Sequence, residues 1–218
     1  MVRIGLLALQ GDFEAHATAL TEVGADVSEV RHTTQLDGLD GLVIPGGEST
    51  ALLNLMGDEP WFDALVEFHQ SGGALMGTCA GAILLAKEVT GPAQPSLGLL
   101  DITVQRNAYG RQLDSFETEI DFEGSVDGLQ AVFIRAPRFI RIGPDVEVLA
   151  SRSDGSSSEA VLVRQGRILA AAFHPELTTD RRLQHLFLEL VNTESITTRE
   201  RTTGEASDLA IQPRSATC

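Results

Sequence analysis

Four short segments, 2–9, 25–30, 42–44 and 74–76, read as strands, and in all but the second apolar residues run almost unbroken. Runs of this kind, without polar alternation, predict strands of a parallel sheet covered on both faces. Between the first two, Phe13, Ala17 and Leu20 recur at helical spacing within 13–23, so the chain opens as a β-α-β unit. Segments 52–56 and 62–68 predict further helices. From about residue 91 the pattern shifts to short β-like runs at 102–104, 118–122, 131–134, 146–150, 161–163 and 168–173, separated by Gly, Pro, Asp and Ser. That shift predicts a second, more antiparallel layer. Arg164-Gln165-Gly166-Arg167 predicts a hairpin turn with Gly166 at positive φ, and 151–159 reads as a polar loop. Leu183, Leu186, Phe187, Leu190 and Val191 form one helical stripe, so 181–192 predicts a closing helix. Residues 193–218 are polar and aperiodic, which predicts a single domain over 1–192 followed by a disordered tail.

Both glycine-rich loops fall at the C-terminal ends of predicted strands, where open α/β sheets carry their sites. The second is Gly77-Thr78-Cys79-Ala80-Gly81, a thiol between two glycines at a strand-to-helix junction. Tiny neighbours suit a sharp, strained turn that lifts a nucleophile toward substrate, and a helix starting at Ala80 would aim unpaired amides at the sulfur. Taken alone, a lone cysteine is more simply a small buried hydrophobe. A second signal changes that balance: the apolar run 168–173 stops at His174-Pro175-Glu176. Proline biases His174 toward an extended conformation, which would project His174 and Glu176 to one side as a base and its orienter. Cys79, His174 and Glu176 are therefore the candidate catalytic residues. An acyl-transfer site also needs a second oxyanion donor from another loop, and Gly46-Gly47 in Pro45-Gly46-Gly47-Glu48-Ser49-Thr50 is the candidate, with Ser49 as a helix N-cap. That loop lacks the spacing of a phosphate cradle, and no G-x-G-x-x-G occurs.

Composition narrows the classes further. The chain has 218 residues, two cysteines and 43% hydrophobic content, enough for a full core and too few cysteines for a disulfide framework. Its N-terminal stretch turns polar too soon for a secretory signal, and no apolar run is long enough for a membrane span. A cytoplasmic protein is expected. With 31 Asp and Glu against 16 Lys and Arg, the net charge is −15, and Lys87 is the sole lysine. A field of that sign argues against nucleic acid, and it suggests a high-salt cytoplasm in which self-repulsion is screened. The five histidines are scattered without ligand spacing, so no metal site is expected, and His16, His32, His69 and His185 read as surface or structural residues.

In order and spacing these segments resemble the class I, or triad-type, glutamine amidotransferases, and within them the glutaminase subunits of pyridoxal 5′-phosphate synthases. The resemblance rests on Leu7-Ala8-Leu9-Gln10-Gly11 with His16, the two glycine-rich loops, Gln105-Arg106-Asn107-Ala108-Tyr109-Gly110-Arg111-Gln112 with Asp114-Ser115-Phe116, Phe133-Ile134-Arg135-Ala136-Pro137, and Phe173-His174-Pro175-Glu176. It implies a three-layer α/β/α, flavodoxin-like fold with a mixed central sheet. It also implies hydrolysis of L-glutamine to L-glutamate and ammonia through a thioester on Cys79, with His174 and Glu176 completing the triad. Amides of Gly46, Gly47 and Ala80 would hold the oxyanion. Gly47, Glu48, Ser49, Arg106, Ile134 and Arg135 match the family's glutamine-binding positions, and Arg106 is the expected partner of the substrate carboxylate. The implied partner is a synthase subunit that receives the ammonia in a hetero-oligomer and makes pyridoxal 5′-phosphate. No cofactor is expected in the chain itself. The residues alone leave open a glutaminase serving a histidine, tryptophan or purine synthase, a non-catalytic regulatory subunit, or a cysteine peptidase of similar architecture. The charge reading carries its own test: the thermal midpoint should rise steeply from low to molar KCl, and a flat response would remove the high-salt interpretation.

Overall fold

A computed structural model of the chain describes residues 1–106, 115–153, 155 and 157–204, with side chains described as far as residue 193. Strand β1 (Arg3–Leu7), helix α1 (Phe13–Glu22) and strand β2 (Asp26–Val30) form the expected β-α-β opening, with the two strands parallel. Asp12 caps α1 by accepting the Ala15 amide at 3.3 Å. Strand β3 (Gly41–Ile44) pairs with the other side of β1, and β4 (Ala74–Thr78) pairs with β3, all parallel. Helices α2 (Ser49–Met56) and α3 (Trp61–Gln70) make that crossover, anchored by fully buried Trp61 and Leu65.

Beyond β4 come helix α4 (Ala80–Leu85) and strands β5 (Ala86–Thr90), β6 (Leu100–Gln105), β7 (Ser115–Phe122), β8 (Leu129–Ile134) and β9 (Arg138–Ile142). Strands β10 (Glu147–Ser153), β11 (Ser158–Gln165) and β12 (Ile168–Ala171) follow, and helix α5 (Arg182–Gly204) closes the described chain. Among the described residues nine strands join one mixed sheet in the order β2-β1-β3-β4-β12-β11-β10-β7-β8. It is parallel from β2 through β12 and antiparallel from β12 to β8. The expected second layer is thus corrected: most of the later strands extend the same sheet. What stands apart is a small sheet ordered β5-β6-β9, and it is mixed, with β5 parallel to β6.

The central strands β3, β4 and β12 are buried at every position, as strands covered by helices on both faces must be. The stripe on α5 packs as expected: Phe187 and Val191 lie against Gly41 at the start of β3. That helix continues to Gly204, past the boundary that hydrophobic periodicity placed at Asn192, while 205–218 lie outside the described residues. The polar segment 151–159 is not simply a loop, since β10 runs to Ser153 and β11 begins at Ser158. Gly166 has the positive φ of 55° expected for the β11–β12 turn. Among the described residues no helix is long and apolar enough to cross a membrane.

The β4–α4 turn packs against its neighbours with no room to spare. A Cβ on Gly81 would lie 2.0 Å from the Ile44 carbonyl oxygen, and one on Gly77 would lie 2.6 Å from the Gly81 backbone. Gly81→Ala makes this testable, because alanine inside an ordinary helix is favoured over glycine by about 1 kcal/mol. Here overpacking should instead destabilise by about 1–3 kcal/mol in denaturant unfolding. A stabilised variant would show that α4 does not press on β3.

Candidate active site

Three loops emerge side by side because β3, β4 and β12 are adjacent and end at one level. Ile44 pairs with Gly77, and Thr78 pairs with Ala171. Cys79 follows β4 directly, and its amide donates to the Ala171 carbonyl at 2.9 Å. At φ 49° and ψ −101° it occupies a left-handed region that costs a residue with a Cβ about 1–3 kcal/mol. The result turns the side chain out of the strand direction into a cavity of about 120 Å³. Its Sγ lies 3.9 Å from the carbonyl oxygen of Ile134, and the residue is 5% exposed. Helix α4 starts one residue later, so the Ala80 amide has no partner earlier in the helix.

His174 comes from the chain just beyond β12. Its amide donates to Val132 of β8 at 2.8 Å. The preceding Phe173 is fully buried against Phe133, with ring centroids 5.7 Å apart, and Phe133 stacks in turn on Phe116 at 4.8 Å. This aromatic column fixes both the β8 end that carries Ile134 and the segment that carries His174. His174 Nδ1 lies 2.7 Å from Glu176 Oε1. The two meet through a 3₁₀ turn over Pro175–Leu177, rather than through the extended segment expected from Pro175. Burial disfavours charge on His174, but hydrogen bonding and charge from Cys79 and Glu176 outweigh it and push its pKa up to about 10. Burial likewise opposes ionisation of Glu176, and His16 and His174 together hold it down at about 2. The buried pair is therefore held as imidazolium and carboxylate through neutral pH.

The Gly46 loop faces this pair. A Cβ on Gly46 would fall 2.3 Å from His174 Cε1 and 3.3 Å from Cys79 Cβ, so only glycine lets the backbone approach the His174 ring this closely. Gly47, at φ 143°, lies against the Gln10 carboxamide, whose Oε1 accepts the Glu48 amide at 3.2 Å. Glu48, not Ser49, is the N-cap of α2: its carboxylate accepts the amides of Thr50 and Ala51 at 3.2 and 2.6 Å. Desolvation raises the Glu48 pKa, but those amides, the Thr50 hydroxyl and Arg106 lower it further, so the net shift is downward. Ser49 donates instead to Gln94 Oε1 at 2.9 Å. Arg106 Nη2 contacts Glu48 Oε1 at 3.3 Å and Thr50 Oγ1 at 3.0 Å. The expected carboxylate partner is thus already held at the cavity wall by an acid of the glycine loop.

Every residue matched to glutamine binding lines the cavity that Cys79 and His174 open into: Gly47, Glu48, Ser49, Arg106, Ile134 and Arg135. Among the described residues Arg135 is, with Cys79, one of two non-glycine residues at positive φ, 44°. Ile83 and Pro137 also line it, and neither was singled out from the sequence. The segment 107–114, which carries the Asn107 to Gln112 motif and Asp114, lies outside the described residues, as does Cys218. His32 and His185 are exposed and His69 is half-buried, in keeping with surface roles. His16 is fully buried, with its Nε2 3.2 Å from Glu176 Oε2. It belongs to the site.

The sequence matches the model of the SNO glutamine amidotransferase family over residues 6–193. The chain belongs to that family. Among its SNO-family relatives, it is 53% identical to pyridoxal 5′-phosphate synthase subunit PdxT of Deinococcus radiodurans over 192 residues, 86% of this chain and 96% of that one. It is 48% identical to the subunit of the same name from Geobacillus thermodenitrificans over 190 residues, 87% and 95% of the respective chains. A crystal structure of a glutamine amidotransferase superposes with a TM-score of 0.80 at 49% identity, covering 87% of this chain and 99% of that one. The SNO-family fold here sets a thiol and an imidazole in the wall of a small cavity, with a buried carboxylate behind the imidazole. Such a row can pass a proton from sulfur to nitrogen and return it to a leaving group.

Proposed function

We propose that the chain is the glutaminase subunit of a pyridoxal 5′-phosphate synthase, hydrolysing L-glutamine to L-glutamate and ammonia. The observation that carries this is the cavity itself: the Cys79–His174–Glu176 row opens into one lined by all six of the glutamine-binding candidates. Relatives named as subunits of that synthase, alike over nearly their whole length, support the same reading.

The geometry supports the following steps. Cys79, its proton passed to His174, attacks the side-chain carboxamide carbon of glutamine, and the carbonyl oxygen becomes an oxyanion. Amides of Ala80 and of the Gly46–Gly47 loop stabilise that charge. The His174 imidazolium gives its proton to the amide nitrogen, the C–N bond breaks, ammonia leaves and a γ-glutamyl thioester remains on Cys79. Neutral His174 then takes a proton from water, whose oxygen attacks the thioester carbon. Collapse of this second tetrahedral species returns the proton to sulfur and releases glutamate. Glu176 accepts from Nδ1 throughout, which holds the ring with Nε2 toward the sulfur and stabilises the imidazolium. Arg106 takes the substrate carboxylate by exchanging its Glu48 contact.

The ammonia passes to the synthase subunit in a hetero-oligomer, and no cofactor enters these steps. The test is ammonia release from L-glutamine in molar KCl, with and without the synthase subunit of the same organism. Release should appear or rise sharply with the synthase, and Cys79→Ala should abolish it. If the associated, folded pair releases no ammonia, the chain is a regulatory subunit and the enzymatic reading fails.

A further inference from the structure

Glu176 has two carboxylate oxygens, and His174 occupies only Oε1. Oε2 is turned the other way, within a carboxylate whose side chain has no solvent exposure. What faces it is His16 Nε2 at 3.2 Å, also with no exposure, projecting from α1 on the far side of the triad. The same nitrogen lies 3.1 Å from Thr78 Oγ1. Thr78 is the last residue of β4 and the neighbour of Cys79, so the contacts close a loop from Cys79 through Thr78, His16 and Glu176 to His174. Nε2 is shared between two oxygens, aligned on the hydroxyl and off-line to Oε2, which otherwise has no hydrogen-bond partner among the described residues.

An ionised carboxylate only accepts, so the nitrogen facing it must carry a proton. Leaving Oε2 with no donor would strand a buried charged oxygen, which is costly enough to swing the carboxylate away from His174. Glu176 sits in the middle of a three-residue 3₁₀ turn and has no longer helix or strand of its own to set its rotamer. His16 sits in the middle of a ten-residue helix, among the buried positions His16, Ala19 and Leu20. It is the better-anchored partner.

We propose that His16 is a positioning residue for the triad: its Nε2–H holds Glu176 Oε2 and thereby fixes the Oε1 contact with His174, while Thr78 orients the His16 ring. This rests on the glutaminase reading for its kinetic consequences and on geometry alone for its spectroscopic one. His16 and His174 are the titratable groups that face Glu176, and His16 leads the influences that keep its carboxyl ionised against desolvation. Removing His16 therefore lets Glu176 take up a proton at higher pH, where it can no longer accept from Nδ1.

The experiment compares His16→Leu, which fills similar space without a donor, with His16→Gln, whose amide can reach the same oxygen, both in complex with the synthase subunit. His16→Leu should lower kcat about tenfold, the equivalent of one hydrogen bond to a charged group, with KM for glutamine little changed. Its acid limb should move up by about one pH unit. His16→Gln should recover most of both. Independently of turnover, the downfield Nδ1–H proton resonance of His174, assigned by its loss in Glu176→Ala, should shift or broaden in His16→Leu and return in His16→Gln. If His16→Leu does not fold, Thr78→Val replaces it and should move the resonance in the same direction by less. An unmoved resonance and acid limb, with only the thermal midpoint lowered, would overturn the proposal. Absence of ammonia release by the unaltered complex would count against the glutaminase reading, and the resonance would still decide the role of His16.

Discussion

The Cys79 amide donates to the Ala171 carbonyl one step beyond the Thr78–Ala171 pairing, and the whole site depends on that parallel register of β4 with β12. Two residues distant in sequence are brought together because both strands end at the same height. A slip of one residue would invert every side chain on β12 and carry His174 away from the sulfur. Burial at every position of β3, β4 and β12 opposes that slip, since each inverted side chain would meet packing shaped for a residue of another size. The hydrophobic core is in this sense the alignment device for the chemistry.

A strained cysteine and a charged pair nine-tenths out of water are both unfavourable taken singly. The surrounding structure offsets them locally. The Cys79 backbone is pinned on one side by the sheet and on the other by α4, whose Ile83 amide donates to the Cys79 carbonyl at 3.2 Å. The imidazolium and carboxylate are hydrogen-bonded to each other at 2.7 Å, and the second carboxylate oxygen faces His16. The aromatic column of Phe116, Phe133 and Phe173 packs behind them, so neither the His174 segment nor the Ile134 carbonyl is free to drift.

Most of the parallel half of the fold was legible from residues alone because β3, β4 and β12 are buried on both faces and carry an unbroken apolar signature. Strands β5 and β9 were not: Lys87 and Glu88 in one and Arg138 and Arg141 in the other face outward and pair with Asp101, Thr103 and Glu159, so they read as loops. The choice of sheet for the later strands is non-local, and no short pattern encodes it. Glu48 displaced Ser49 as helix cap because its longer side chain reaches both Thr50 and Ala51, against the usual preference for serine. At the site, Cys79 and the His174–Glu176 pair were visible because a candidate nucleophile and base call for particular neighbours. His16 was hidden by its isolation, although its i, i+3, i+4 spacing with Ala19 and Leu20 placed it on the buried face of α1. The helix past Asn192 has no apolar stripe to announce it, since propagation adds one backbone bond per residue whatever the side chain.

The central claim is that Cys79 is presented, by three converging strand ends, as the atom that bonds to the side-chain carbon of glutamine. The most direct test is covalent trapping with a glutamine analogue bearing a diazoketone in place of the carboxamide, applied to the complex with the synthase subunit and read by peptide mass spectrometry. A single adduct on Cys79, suppressed by excess L-glutamine, is the predicted result. Labelling at another residue, or labelling of Cys79 that glutamine does not slow, would contradict it.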